Sequence, residues 1–251
     1  VALTEWTAGP KIAVVTQARA TSTRLPAKVL LEAGGRTYLE HHLNRLRRTG
    51  LLVIVATTTN TDDDPIVQLA ERSGIPYFRG SEDDVLSRFA GAARAYGLDG
   101  VVRVTSDCPL IDPEIVAAGV ERWRAENDAG VYLSNCLERT HPRGMDYEVF
   151  SAARLFEADE RATLPADREH VTPYLHQNRP GDIRLVSLPW SGGGSQYRLT
   201  LDTADDRKLL DTLIEDHAAD KLSCAELVAL LDARPELAAL NAHIEQKKLG
   251  E

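Results

Sequence analysis

Three cations crowd the start of the chain. Arg19, Arg24 and Lys28 fall within ten residues, and no carboxylate lies between Lys11 and Lys28. Two aspartates far apart in sequence, Asp107 in Thr105-Ser106-Asp107-Cys108-Pro109 and Asp202 in Thr200-Leu201-Asp202-Thr203, each follow an apolar stretch. Hard carboxylate oxygens suit Mg²⁺, which keeps several waters and bridges phosphate oxygens. Fixed cations and converging backbone N–H groups hold polyphosphate charge. Together they suit metal-assisted attack on a nucleoside triphosphate, with charge neutralised at the α-phosphorus and on the departing pyrophosphate. Positioning and electrostatics then carry the rate without a covalent intermediate. On composition alone, a solvated basic loop is the competing reading of the three cations.

Such groups need a scaffold that brings strand ends to one rim. Ile12 to Val15 is an apolar run of the kind buried on both faces of a parallel sheet. It breaks at Ala18 to Thr23 into small and hydroxyl residues, which predicts a tight loop. Leu51 to Ala56 predicts a second buried strand. Its end, Thr57-Thr58-Thr59-Asn60, is of the polar kind that lines ligand crevices in open α/β sheets. Ile75 to Phe78 predicts a third strand and Val101 to Val104 a fourth, interrupted by Arg103, which needs an anionic partner or a route to solvent. Further strands are expected at Val131 to Leu133, Ile183 to Leu188 and Gln196 to Leu201, the last two joined by a turn at Ser191-Gly192-Gly193-Gly194.

Helices fill the gaps. Thr37 caps one that runs to about Arg48, with Leu39, Leu43 and Leu46 at helical spacing; His41 and His42 within it read as surface or packing residues. Asp62-Asp63-Asp64-Pro65 reads as helix initiation, with Asp64 as N-cap and Pro65 at the first helical position. Asp112-Pro113 repeats that logic, a helix is expected from about Val85 to Tyr96, and Ser151 caps another. The alternation predicts an α/β fold with an open, mostly parallel sheet flanked by helices on both faces.

The order Ser22-Thr23-Arg24-Leu25-Pro26-x-Lys28 resembles the signature loop of sugar nucleotidyltransferases, in the version of the cytidylyltransferases that make CMP-activated acid sugars. Thr105 to Pro109 resembles that family's T-x-D-x-P metal motif, and Asp202 to Asp206 its second, D-T-x-x-D. Pro142 to Phe150 resembles P-R-G-x-D-x-E-V-F, and Asp167 to Tyr174 matches the run D-R-E-H-V-T-P-Y. From about Lys11 to Leu213 the chain is similar to the spore-coat polysaccharide protein F group, related to CMP-ketodeoxyoctulosonate synthetases.

The resemblance implies a nucleotide-diphospho-sugar transferase-like fold, CTP as donor, and Mg²⁺ held by Asp107 and Asp202. Lys28, Arg19 and Asp107 are the implied catalytic residues. The implied nucleotide site takes Ala18, Arg19, Ala20, Arg24 and Lys28 from the loop, Thr57, then Arg79, Ser81 and Arg88 around GSEDDVLSRF, and Asp107. The implied acceptor site takes Arg143, Asp146, Glu148, Arg168 and His170, in a small subdomain over the acceptor at about residues 134–195, and Arg198 downstream of it. Glu169 and His170 are acid/base residues by type, with a structural role as the alternative. The acceptor is expected to be anionic, an acidic sugar or a small phosphonate or phosphate; both stay open. The expected organisation is a leader at residues 1–10, tethered by Trp6, and one domain at 11–251. C-terminal helices at 203–246 carry leucines suited to packing or a homodimer contact.

Composition narrows the rest. With 251 residues and 43% hydrophobic positions the chain can bury a large core. A net charge of −9 argues against nucleic-acid binding. Cys108, Cys136 and Cys224 are far apart, which suits a reducing compartment better than a disulfide framework or zinc site. The absence of a membrane-length apolar run and of a signal-peptide core gives a cytoplasmic expectation. Neither G-x-G-x-x-G after the first strand nor G-x-S-x-G occurs, against a dinucleotide oxidoreductase or a serine hydrolase. Two rivals remain: a nucleotide-sugar glycosyltransferase, disfavoured because Asp107 stands alone instead of in D-x-D, and a non-catalytic nucleotide-binding module.

Overall fold

The computed structural model describes residues 10–245. The leader and Trp6 up to residue 9, and the chain from Gln246 onward, lie outside the described residues. In chain order the elements are β1 (Ile12–Gln17), β2 (Glu32–Ala33), β3 (Arg36–Thr37), α1 (Tyr38–Arg47), β4 (Leu52–Thr58), α2 (Asp64–Arg72), β5 (Tyr77–Gly80) and α3 (Val85–Tyr96). They continue with β6 (Gly100–Thr105), α4 (Pro113–Glu126), β7 (Val131–Ser134), β8 (Glu148–Ser151) and α5 (Ala152–Arg161). The last are α6 (Pro165–His170), α7 (Pro173–His176), β9 (Arg184–Ser187), α8 (Ala204–His217), α9 (Cys224–Ala233) and α10 (Pro235–Ala238).

Seven strands form one sheet in the order β5-β4-β1-β6-β8-β7-β9, and β2 pairs with β3 in a separate ribbon. β1 sits inside parallel ladders to β4 and β6, and is buried from Ile12 through Thr16. Its residues alternate between two cores. Ile12 and Val14 pack with α1, α2 and α4, whereas Ala13 and Val15 pack with α3, α5 and α7. Two covered faces explain why the run is continuously apolar. All neighbours are parallel except β8, which runs antiparallel to both β6 and β7. The region expected as a subdomain therefore contributes a strand to the middle of the sheet.

A third core joins α8 and α9 to Leu199, Leu201, Met145 and Tyr38. Leu209, Leu213, Leu227 and Leu231 are buried in it, so these leucines serve internal packing. Gln196 to Leu201 is not a strand; it makes one bridge, Arg143 with Arg198. Arg143 N donates to the Tyr197 carbonyl at 3.0 Å and Leu199 N to the Arg143 carbonyl at 2.7 Å. Gly144 permits this close approach. Its φ is +99°, and a Cβ there would lie 2.5 Å from the Leu199 oxygen. Beyond the bridge, Leu201 N donates to the Asp107 carbonyl at 2.8 Å and brings Asp202 back to the end of β6.

Helix starts follow the sequence with one exception. Thr37 forms a capping box with Glu40, Ser151 accepts from Arg154 N, and Asp112 accepts from Glu114 N. Asp64, expected as a cap, is the first residue of α2 and pairs with Arg79 at 2.7 Å. Its neighbour Asp63 is buried and accepts from Thr57 Oγ1 at 3.1 Å, Thr58 N at 3.2 Å and Ala20 N at 2.6 Å. Asp63 thus fixes the end of β4 to the loop after β1. No described helix is long and apolar enough to cross a membrane.

Candidate active site

The loop after β1 is folded largely by its own backbone. Ala20 is the hub: its carbonyl accepts from Ser22 N at 2.9 Å and Ala27 N at 2.8 Å, and its amide is held by Asp63. Ala18 N donates to the Ala56 carbonyl at 3.1 Å. The Ala18 and Ala20 amides expected for phosphate are thus spent within the protein. Among the described residues, the amides of Arg19, Thr21, Thr23 and Arg24 meet no protein acceptor. Ala27 adopts φ 52°, ψ 25° and turns the chain into a single 3-10 turn that begins at Lys28.

That turn aims the Lys28 ammonium between the two strand-end carboxylates. Lys28 Nζ lies 2.9 Å from Asp107 Oδ2 and 2.7 Å from Asp202 Oδ1. Burial alone would lower the lysine pKa, but Asp107 and Asp202 outweigh it and hold the ammonium above its ordinary value. Burial likewise opposes ionisation of Asp107, and Lys28 beside it brings that carboxyl down to about 2. Asp202 also meets Arg24 at 3.2 Å and Arg198 at 2.7 Å. Arg198 reaches on to Asp206 at 2.8 Å, while Asp206 accepts from the Asp202 and Thr203 amides, both at 3.0 Å. Asp206 therefore orders the Asp202 turn.

These groups open into a cavity of about 560 Å³, whose lining includes Ala18, Arg19, Arg24, Lys28, Asp107 and Asp202. Arg88, Arg103, Glu169 and His170 line it too. Arg88 is 98% buried, since its exposure is 2%, and its Nε has no hydrogen-bond partner. Among the described residues its side chain makes one hydrogen bond, from Nη1 to the Ser81 carbonyl at 2.6 Å. Burial, aided by the nearby Arg19 cation, lowers its pKa to about 10. A buried cation without a carboxylate in contact is costly unless an anion completes it.

Arg103 finds the partner that its strand position demands. It pairs with Glu148 at 2.5 Å, yet its Nε is also unpartnered. Arg103 and Gln17, cavity residues both, were not picked out as site residues from sequence. The interrupted apolar run at Arg103 was the available signal. Glu169 and His170 arrive at the end of α6, where the chain turns sharply at Val171. That buried, β-branched residue has φ 72°, ψ −53°, and Thr172 N donates to the His170 carbonyl at 2.8 Å. This is a strained γ-turn. Thr172 Oγ1 donates to Glu148 at 2.7 Å and ties the turn to the Arg103 pair.

Nine expected site residues, Ala20 and eight others, do not line this cavity. Thr57 is buried on Asp63. Arg79 spends three nitrogens on the Thr58 carbonyl, Asp64 and the Asn60 carbonyl, at 2.7, 2.7 and 2.6 Å. Ser81 gives its carbonyl to Arg88 and its Oγ to Asp84 N. Asp146 is paired with Arg139 by two bonds at 2.9 and 3.0 Å. Glu148 is consumed by Arg103, Tyr132 and Thr172. Arg168 clamps Asp84 at 2.5 Å and Asp159 at 3.0 Å, joining α6 to the N-terminus of α3 and to α5; with Arg19 and Glu169 it lines a smaller neighbouring cavity. Arg198 holds Asp202 and Asp206, and Arg143 supplies the backbone bridge. His41 and His42 are packing residues. His42 contacts Thr16 Oγ1 at 2.9 Å and the Cys108 carbonyl at 2.8 Å, and burial depresses its pKa to about 4.

Comparison with known proteins gives one answer at three levels. A cytidylyltransferase family model matches residues 13–203. An uncharacterised protein of Methanocaldococcus jannaschii is 36% identical over 245 residues, 96% of this chain and 98% of its own. Spore coat polysaccharide biosynthesis protein SpsF of Bacillus subtilis is 30% identical over 238 residues, 90% of this chain and 96% of its own. The solved structure of a cytidylyltransferase from Leptospira borgpetersenii matches with a TM-score of 0.87 and 34% identity, covering 96% of this chain and all of that one.

Proposed function

This chain belongs to the cytidylyltransferase family and is a CTP-using nucleotidyltransferase; from that premise we propose that it transfers CMP to a small anionic acceptor and releases pyrophosphate. The observation that carries the reading is the Lys28 ammonium seated between Asp107 and Asp202 at the mouth of a cation-lined cavity. Two hard carboxylates converging on one point fit Mg²⁺, which needs only one or two protein oxygens beside phosphate and water. Asp107 and Asp202 would hold it, and the metal would supply neutralisation of charge on the α-phosphate and the leaving pyrophosphate.

The chain's own residues do the rest. Arg19, Arg24 and Lys28, with the unpartnered amides of the loop, bind and orient the triphosphate, so that the acceptor oxygen attacks in line. Arg88, Arg103 and His170 line the same cavity and present cationic or hydrogen-bonding groups, which favours an acceptor carrying negative charge. Acidic sugars and small phosphonates or phosphates both answer that description. Incubating the protein with each nucleoside triphosphate, Mg²⁺ and a panel of both acceptor classes, with pyrophosphate detection, tests the proposal. Release only with CTP and an anionic acceptor is expected. Release that is equal for neutral acceptors would sink the acceptor assignment, and equal use of all four nucleotides would contradict a cytidine-selective site.

A further inference from the structure

We propose that Lys28 and the divalent cation compete for the same two carboxylates, so that metal enters this site together with the nucleotide. The inference rests on the metal site of the proposed function and adds how that site is loaded. Lys28 Nζ stands 2.9 Å from Asp107 Oδ2 and 2.7 Å from Asp202 Oδ1, on side chains that are each less than a quarter exposed. Asp202 is more heavily committed than Asp107. Its Oδ1 also meets Arg24 at 3.2 Å, and its Oδ2 meets Arg198 at 2.7 Å. A doubly charged ion that reaches for these oxygens meets a fixed ammonium at contact distance, where repulsion is strong and poorly screened. Lys28 must therefore move for the metal to take both carboxylates.

Leaving has its own cost, because the lysine would sit in a largely buried position without a counter-charge. A triphosphate in the adjoining cavity removes that cost by offering phosphate oxygens to the ammonium. Metal and nucleotide then favour each other through one exchange of partners, and the coupling is reciprocal. Arg198 is not part of the exchange. It is braced by Asp206 at 2.8 Å and keeps the Asp202 carboxylate in place while Lys28 departs.

The competition makes an unusual forecast: removing a residue of the nucleotide site tightens metal binding. Mn²⁺ binding to the protein without nucleotide is measured by electron paramagnetic resonance for the natural protein, Lys28→Met and Lys28→Gln. Near-ultraviolet circular dichroism verifies that each is folded, and Lys28→Gln keeps a neutral donor between the carboxylates should Lys28→Met not fold. The expected result is Mn²⁺ affinity at least ~10-fold higher in both variants, lost again when Asp107→Asn is added. CTP binding in EDTA should weaken in the same variants. Mn²⁺ affinity equal to or below that of the natural protein in a folded variant overturns the competition while leaving the metal site standing. Tight Mn²⁺ binding that survives Asp107→Asn would place the metal elsewhere and remove the site itself.

Discussion

The candidate cavity and the protein around it hold arginines that are spent in opposite ways. On the outer flank, Arg79 and Arg168 are saturated by carboxylates and carbonyls from α2, α3, α5 and the end of β4. At the mouth, Arg19 reaches only Glu82, at 3.8 Å, Arg24 shares Asp202 at 3.2 Å, and Arg88 keeps an unpartnered buried nitrogen. Saturated cations fasten elements to each other. Incompletely satisfied ones leave charge for a ligand. The difference lies in where carboxylates are delivered, not in the arginines.

The strongest way to break the comparison is at the carboxylates of the mouth. Asp107→Asn and Asp202→Asn should each reduce kcat/KM by ~10³-fold or more without loss of fold, because a triphosphate then lacks its metal anchor. Normal activity and metal dependence in both would end the assignment. Lys28→Ala comes next, with an expected loss of about 2–4 kcal/mol in kcat/KM. Lys28→Arg should recover only part, since a planar fork does not reproduce a compact ammonium. Full turnover by Lys28→Ala would show that the clamp is elsewhere.

Acid tests the floor beneath the mouth. His42 is held neutral, with a pKa of about 4 in the folded chain against an ordinary 6.5. The unfolded chain binds a proton at this residue below pH 6.5 that the folded chain refuses, so stability falls as pH drops from 6.5 towards 4. The total is about 3 kcal/mol at ~1.4 kcal/mol per unit. Urea titrations across that range should show the slope, and His42→Gln should flatten it; an unchanged slope in the variant would assign the effect to other groups. The smallest effect separates the two arginine classes. Arg168→Ala should cost about 1–2 kcal/mol of stability with CTP affinity unchanged, its clamp being partly exposed. Arg88→Gln should weaken CTP or acceptor binding about tenfold while stability holds or rises. Calorimetry with thermal melts on the two variants reads both quantities, and a swapped pattern would reverse the classification.

Much of this architecture was legible in sequence because its signals are local. The buried runs that became β1, β4 and β6, the caps at Thr37, Ser151 and Asp112, and the trio of Lys28, Asp107 and Asp202 each carry their own signature. Lys28 and Asp202 meet across 174 positions, and only the motif resemblance joined them beforehand. Pairings made by distant residues were not legible. Nothing near Arg168 announces Asp84, and nothing in Asp62-Asp63-Asp64 says that the middle carboxylate turns inward to Thr57, Thr58 and Ala20. Glu148 illustrates the same limit: the motif resemblance placed it at the acceptor, but its position opposite Arg103 in the β6–β8 ladder consumes it.

The reversed strand β8 has a consequence for how the molecule can be divided. Among the described residues it is the only link in the sheet between β6 and the β7–β9 pair. The chain passes from β6 through α4 and out to β7 before it returns to lay β8 in the gap. The turn at residues 127–129 is exposed, and cutting there yields one piece ending in α4 and another beginning with β7. The first then presents β6 as a raw edge, and the second lacks the β1–β6 sheet on which α5 and α7 rest. Each fragment holds one of the two carboxylates that flank Lys28, Asp107 in one and Asp202 in the other. Separately expressed halves should therefore recover activity only when mixed, at a rate that depends on their concentration.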